Sequence, residues 1–188
     1  MVQAPPTVTA VVDSCVWPEL PERNGYEMVD GQWVRMPIGN KSLHAAGRVI
    51  RELWLVTEAR GHGRVLQNES SIQVWPGSPN TYRKPDAMYF APGRLAGDIV
   101  PDGHIHAIPD IVVEGISKSE KGVDILEKVT SYLDAGVRLV WLLYPQTRIV
   151  MVYRPGRSVS MLGPGDTLTG EDVAPAFALS VEKIFEGT

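Results

Sequence analysis

The sequence predicts an α+β or α/β sandwich in which a mixed sheet is flanked by helices and preceded by a β-hairpin. Three observations carry this reading. Two segments repeat apolar residues at helical spacing, and short runs rich in Val, Ile, Tyr and Phe lie between them. The run "RLVWLLYP", Arg138 to Pro145, is apolar almost throughout, as a central strand covered on both faces would be.

The elements follow in order. Residues 1–15 read as a flexible tail, because their Pro-Pro and Thr-rich spelling has no amphipathic period, and residues 16–188 read as one domain. "YEMVDGQWVRMP" sets two short apolar-bearing runs around Asp30-Gly31, two residues that tolerate positive φ, which predicts a hairpin. From Ser42 to Arg60, Leu43, Ala46, Ile50, Leu53, Trp54 and Thr57 fall on one helical face. "GRVLQNESSIQVWPG" and "YRKPDAMYFAPG" read as successive strands, and a loop over 92–107 carries His104 and His106. "PDIVVEGIS" is a further strand. A second helix follows, with Gly122, Leu126, Val129 and Leu133 on one side and Gly136 placed to end it. "RIVMVYRPG" pairs beside "RLVWLLYP", and the remainder adds one or two short strands and a closing helical turn.

Composition narrows the function. With 188 residues the chain can bury one sizeable core, and 44% hydrophobic with 21% charged residues excludes disordered and fibrous classes. A net charge of −4 argues against a surface that coats nucleic acid indiscriminately, while leaving room for a local basic patch or a partner met through a metal ion. The single cysteine, Cys15, supports neither a disulfide framework nor a Cys-based zinc site. With no signal-like start and no apolar run near about 18 residues, a soluble, cytoplasmic protein is expected. Phosphate loops, G-x-S-x-G and H-E-x-x-H are missing, so nucleotide-dependent, serine-hydrolase and zincin chemistries lack support.

The stretch "IPDIVVEGISKS" places Glu114 inside an apolar run, where a charge is costly unless paired. Its spelling resembles a nuclease signature, Pro-Asp followed by Glu-x-Lys, but Ile116 stands where the lysine would be. Asp110 and Glu114 share a strand face yet stand roughly 13 Å apart at about 3.3 Å per residue. One metal ion with oxygen ligands at about 2.0 to 2.6 Å cannot bridge that gap. Asp86 lies on the preceding predicted strand, and neighbouring strands sit about 4.8 Å apart, so Asp86 with Glu114 is the expected pair. Asp110, after a proline, reads as a turn residue binding its own backbone. Lysine candidates are Lys118, Lys121 and Lys128; on the second helix Lys121, Ile125, Lys128 and Tyr132 form a stripe bordering the apolar face. A lysine there can lay its stem on the core and carry its ammonium toward the strand ends. His104 and His106 have no third ligand nearby and make a weak zinc signal.

Taken together, "YEMVDGQWVRMP", His44 heading a helix, "KPDAMYF", "PDIVVEGISKS", "DILEKVTSYLDAGVRLVWLLYP" and "IVMVYRPG" resemble the Uma-two family of restriction-endonuclease-like proteins, within the PD-(D/E)xK nuclease superfamily. The resemblance runs from Gly25 to the carboxy terminus. It implies a restriction endonuclease-like fold and a Mg²⁺-dependent (or Mn²⁺-dependent) endonuclease acting on DNA. In that reading Asp86, Glu114 and Lys128 are catalytic, Lys128 replacing the usual strand lysine. Asp86, Glu114 and the Gly115 carbonyl hold the metal, and Glu27 and His44 support the site. Two departures stand out: Gly115 replaces a bulky residue, and Lys118 stands where proline is common. A homodimer or higher homo-oligomer is expected by analogy alone. The rival readings are a catalytically inactive nucleic-acid-binding or assembly module of the same fold, and a nuclease acting on RNA.

Overall fold

The computed structural model describes residues 14–37 and 39–188; most of the expected amino-terminal tail lies outside them. The hairpin forms as expected. Strands β1 (Tyr26–Val29) and β2 (Gln32–Arg35) pair antiparallel around Asp30 and Gly31, whose φ values of 48° and 77° suit a tight turn between right-twisted strands. Met28 and Tyr82 exchange backbone hydrogen bonds and tie the hairpin to the segment that leads into Ala87–Phe90 of the main sheet.

That sheet has six strands in the order β3 (Arg64–Gln67), β4 (Ala87–Phe90), β5 (Ile111–Gly115), β6 (Leu139–Tyr144), β7 (Ile149–Arg154) and β8 (Ser158–Leu162). Only β5 and β6 run parallel, and a parallel neighbour needs a crossover. Helix α2 (Gly122–Ala135) is that crossover, ended by Gly136 at φ 106°. Helix α1 (Asn40–Val56) covers the opposite face.

Side-chain alternation divides the core. Ala87, Tyr89, Ile111, Val113, Leu139, Trp141 and Leu143 point to the α1 side, whereas Met88, Phe90, Val112, Val140 and Leu142 point to the α2 side. Strand β6 is therefore apolar in both directions. The closing segment holds three strands where one or two were expected: β8 completes the main sheet, while β9 (Thr167–Gly170) and β10 (Ala174–Ser180) form a separate pair that, with the short helix α3 (Val181–Ile184), packs on the α1 side.

Both helices bury a face rotated from the expected one. In α1 the buried residues are Ser42, Ala45, Ala46, Val49 and Leu53, and Leu43 and Trp54 are exposed. Small side chains let this helix approach the sheet closely: a Cβ on Gly115 would sit 2.8 Å from the Ser42 carbonyl oxygen. In α2 the buried face is Ile125, Val129, Tyr132 and Ala135, with Leu126 exposed. The stripe read as a border of the apolar face thus contributes Ile125 and Tyr132 to the buried face itself. Among the described residues no helix is long and apolar enough to cross a membrane.

Candidate functional site

Glu114 occupies the fourth position of β5 on the α2 side, where Val112 precedes it and Leu142 is its neighbour on β6. Only 7% of it is exposed, so the carboxylate must find partners within the fold. It finds them one helical turn apart on α2. The Tyr132 hydroxyl donates to Oε1 at 2.7 Å, and the Lys128 ammonium lies 2.9 Å from the same oxygen. Residues four apart on a helix share a face, which is why both reach one carboxylate.

Asp86 sits immediately before β4, which pairs with β5, and its Oδ2 accepts the Gly115 backbone N–H at 2.7 Å. It was expected on β4 and stands one residue ahead of it. Glu27 arrives from β1: its Oε1 accepts the Lys84 N–H at 2.8 Å and lies 3.3 Å from the Lys128 ammonium, and its Oε2 faces Arg83 at 3.4 Å. Glu27 and Lys128 open on a cleft of about 220 Å³ lined also by Arg35, Arg83, Glu120 and Asp124. A larger groove, about 540 Å³, lies between α2 and the β7–β8 end and is lined mainly by apolar residues such as Leu126, Leu133 and Val159.

The electrostatics follow from three carboxylates gathered around one ammonium. Burial pushes the Glu114 carboxyl up to about 7 against the pull of Lys128, and repulsion from Asp86 and Glu27 adds to the rise. Burial also raises Asp86, with the Gly115 N–H and Lys128 opposing it. At Glu27 burial is outweighed by Lys128, Arg83 and the Lys84 N–H, so this carboxyl is held below its ordinary value. Lys128 goes up despite burial, because Glu114 and Glu27 hold it charged. Burial and the neighbouring Glu114 push the Tyr132 hydroxyl well up, keeping it protonated as a donor.

Two expectations are corrected. Asp110 does not bind its own backbone: its buried carboxylate accepts the Ala91 N–H at 2.8 Å and takes Arg94 through Nε at 3.0 Å and Nη2 at 2.8 Å. Arg94 answers this charge across the strand ends, a structural ion pair outside the Glu114 cluster. His44 lies outside the cluster too: it is exposed on α1, 3.1 Å from the Glu186 carbonyl oxygen, so its place near the helix start does not carry it to the site. His104 and His106 do not converge; His104 contacts Ser71 and the Leu20 carbonyl, and His106 the Gln73 carbonyl. Sequence reasoning passed over Tyr132 and Arg83 as site residues. For Tyr132 the signal was present, four residues after Lys128 on the same stripe.

Among the described residues no group of three or more His, Cys, Asp or Glu could hold a metal ion. Any ion here would rest on Asp86 and Glu114 with a backbone oxygen, the rest of its shell coming from water or a bound phosphate. Two hard carboxylates at neighbouring strand positions match a magnesium-like cation, which keeps several waters and binds through one or two protein carboxylates, and not a closed zinc site.

The fold has a solved counterpart. The crystal structure of a putative nuclease belonging to DUF820 from Anabaena variabilis is similar to this chain with a TM-score of 0.75 at 20% identity, covering 97% of this chain and 98% of that one. This likeness shows the fold, a mixed sheet between helices. The chain belongs to the Uma2 family, described as "putative restriction endonuclease", whose model matches residues 13–182. No curated protein matches it.

Proposed function

We propose that this protein is a Mg²⁺-dependent endonuclease that hydrolyses DNA phosphodiester bonds. One observation carries the reading: a buried strand glutamate holds a helix-borne ammonium at 2.9 Å, and an aspartate at the end of the adjacent strand accepts the N–H of the very next residue, Gly115, at 2.7 Å. Family membership and the fold of a described putative nuclease support it. Asp86 and Glu114, with the Gly115 carbonyl, hold the cation, which when bound neutralises phosphate charge and acidifies a water. Lys128 stands beside Glu114 to orient the attacking water or to steady charge on the phosphate as it develops. Tyr132 fixes the rotamer of Glu114 by donating to Oε1, leaving Oε2 outside both contacts.

The test is a cleavage panel over single- and double-stranded DNA and RNA with Mg²⁺ and Mn²⁺, comparing wild type with Glu114→Gln. Wild type is expected to cut DNA, and the variant to lose at least about a hundredfold of that rate. Equal behaviour of the two proteins overturns the reading in favour of a catalytically silent nucleic-acid-binding or assembly module. Cleavage confined to RNA moves the substrate class.

A further inference from the structure

Glu27 reaches the site from the hairpin and not from the main sheet. Its oxygens are committed: Oε1 to the Lys84 N–H and the Lys128 ammonium, Oε2 to Arg83. It is only 3% exposed. Lys128 is therefore gripped from two sides, by Glu114 at 2.9 Å and by Glu27 at 3.3 Å.

The two grips are not equivalent. A carboxylate that ligates a divalent cation gives up much of its attraction for a nearby ammonium, and the cation repels that ammonium directly. A lysine is a point charge on a flexible stem. Held by Glu114 alone, Lys128 would swing into the adjoining cleft as the cation arrived.

We infer that Glu27 is the positioning residue of Lys128, a second carboxylate that keeps the ammonium at the site while Glu114 turns its charge to the cation. This rests on the nuclease reading for what the lysine does, but not for where it is held. It also sets Glu27 apart from the cation's ligands, since its contacts already include a backbone N–H, a guanidinium and an ammonium.

Site-resolved acylation of the full chain, read by mass spectrometry with and without Mn²⁺, tests the inference. In wild type Lys128 is expected to react slowly in both conditions. In Glu27→Gln it stays slow without Mn²⁺ and becomes on the order of tenfold faster with it, while Mn²⁺ affinity by calorimetry stays near the wild-type value. Glu27→Asp, which keeps the charge but shortens the reach, falls between the two and carries the test if Glu27→Gln fails to fold. Lys128 reactivity that ignores Mn²⁺ in both variants overturns the inference, as does loss of Mn²⁺ binding, which would make Glu27 a ligand. If wild type cuts no nucleic acid but Glu27→Gln shows the Mn²⁺-dependent release, the nuclease reading fails and the positioning role stands.

Discussion

Glu114 gives one oxygen to both Tyr132 and Lys128, yet its proton affinity remains high because burial and two neighbouring acids outweigh the lysine. The sign of the pH effect follows. Between its ordinary value of 4.5 and about 7 the folded protein holds a proton that the unfolded chain has released. Stability therefore falls as pH rises through that window, and above it the full cost, on the order of 3 kcal/mol, is present. A cation on Glu114 competes with that proton. Mn²⁺ affinity is expected to be about tenfold weaker at pH 6 than at pH 8, levelling off above pH 7. Calorimetric titrations across this range that show no pH dependence would remove Glu114 from the ligand set.

At the scale of elements, the two Pro-Asp dipeptides have separate tasks. Asp110 is held by Arg94 and a backbone N–H, so Asp110→Asn breaks a buried ion pair and is expected to destabilise by about 3–5 kcal/mol in urea unfolding, with cleavage per folded molecule unchanged. Asp86→Asn should do the reverse, sparing stability and abolishing cleavage. If Asp110→Asn abolishes cleavage while leaving stability intact, the two assignments must be exchanged. Gly115 is set by its neighbour: a Cβ there meets the Ser42 backbone at 2.8 Å, so Gly115→Ala is expected to cost about 1–3 kcal/mol, again read by urea unfolding.

The hairpin, both helices and the apolar central strand were legible in the sequence, because turn residues and apolar periods are local signals. So was a place for Asp86 beside the end of the Glu114 strand, where its carboxylate takes the Gly115 N–H. The helix faces were not. Which side of α1 is buried depends on how near the sheet it must lie, and Ser42 answers that only against Gly115. In α2, Tyr132 turns inward to satisfy a carboxylate on another element, a demand that apolar periodicity does not register. Asp110 was misread because its partner, Arg94, comes from a loop with no pattern of its own.

Over the whole molecule, the net charge of −4 leaves attraction to a polyanion to local groups, and only Arg35, Arg83 and Lys128 bring positive charge to the cleft. Two of them already face Glu27. DNA affinity measured with Glu114→Gln should therefore depend weakly on salt, with a log–log slope shallower than about −3. A steeper slope would reveal a basic surface beyond the cleft.

Because the crossover between β5 and β6 supplies the lysine, its aim is set by the rotation of a cylinder and not by the two-residue pleat of a strand. Each residue of α2 turns the helix by about 100°, so inserting one residue between Ile125 and Lys128 would point the ammonium away from the sheet while leaving every carboxylate in place. Conversely, substitutions at Ile125 or Val129, apolar residues on the buried face of α2, would retune the chemistry by a few degrees of helical phase.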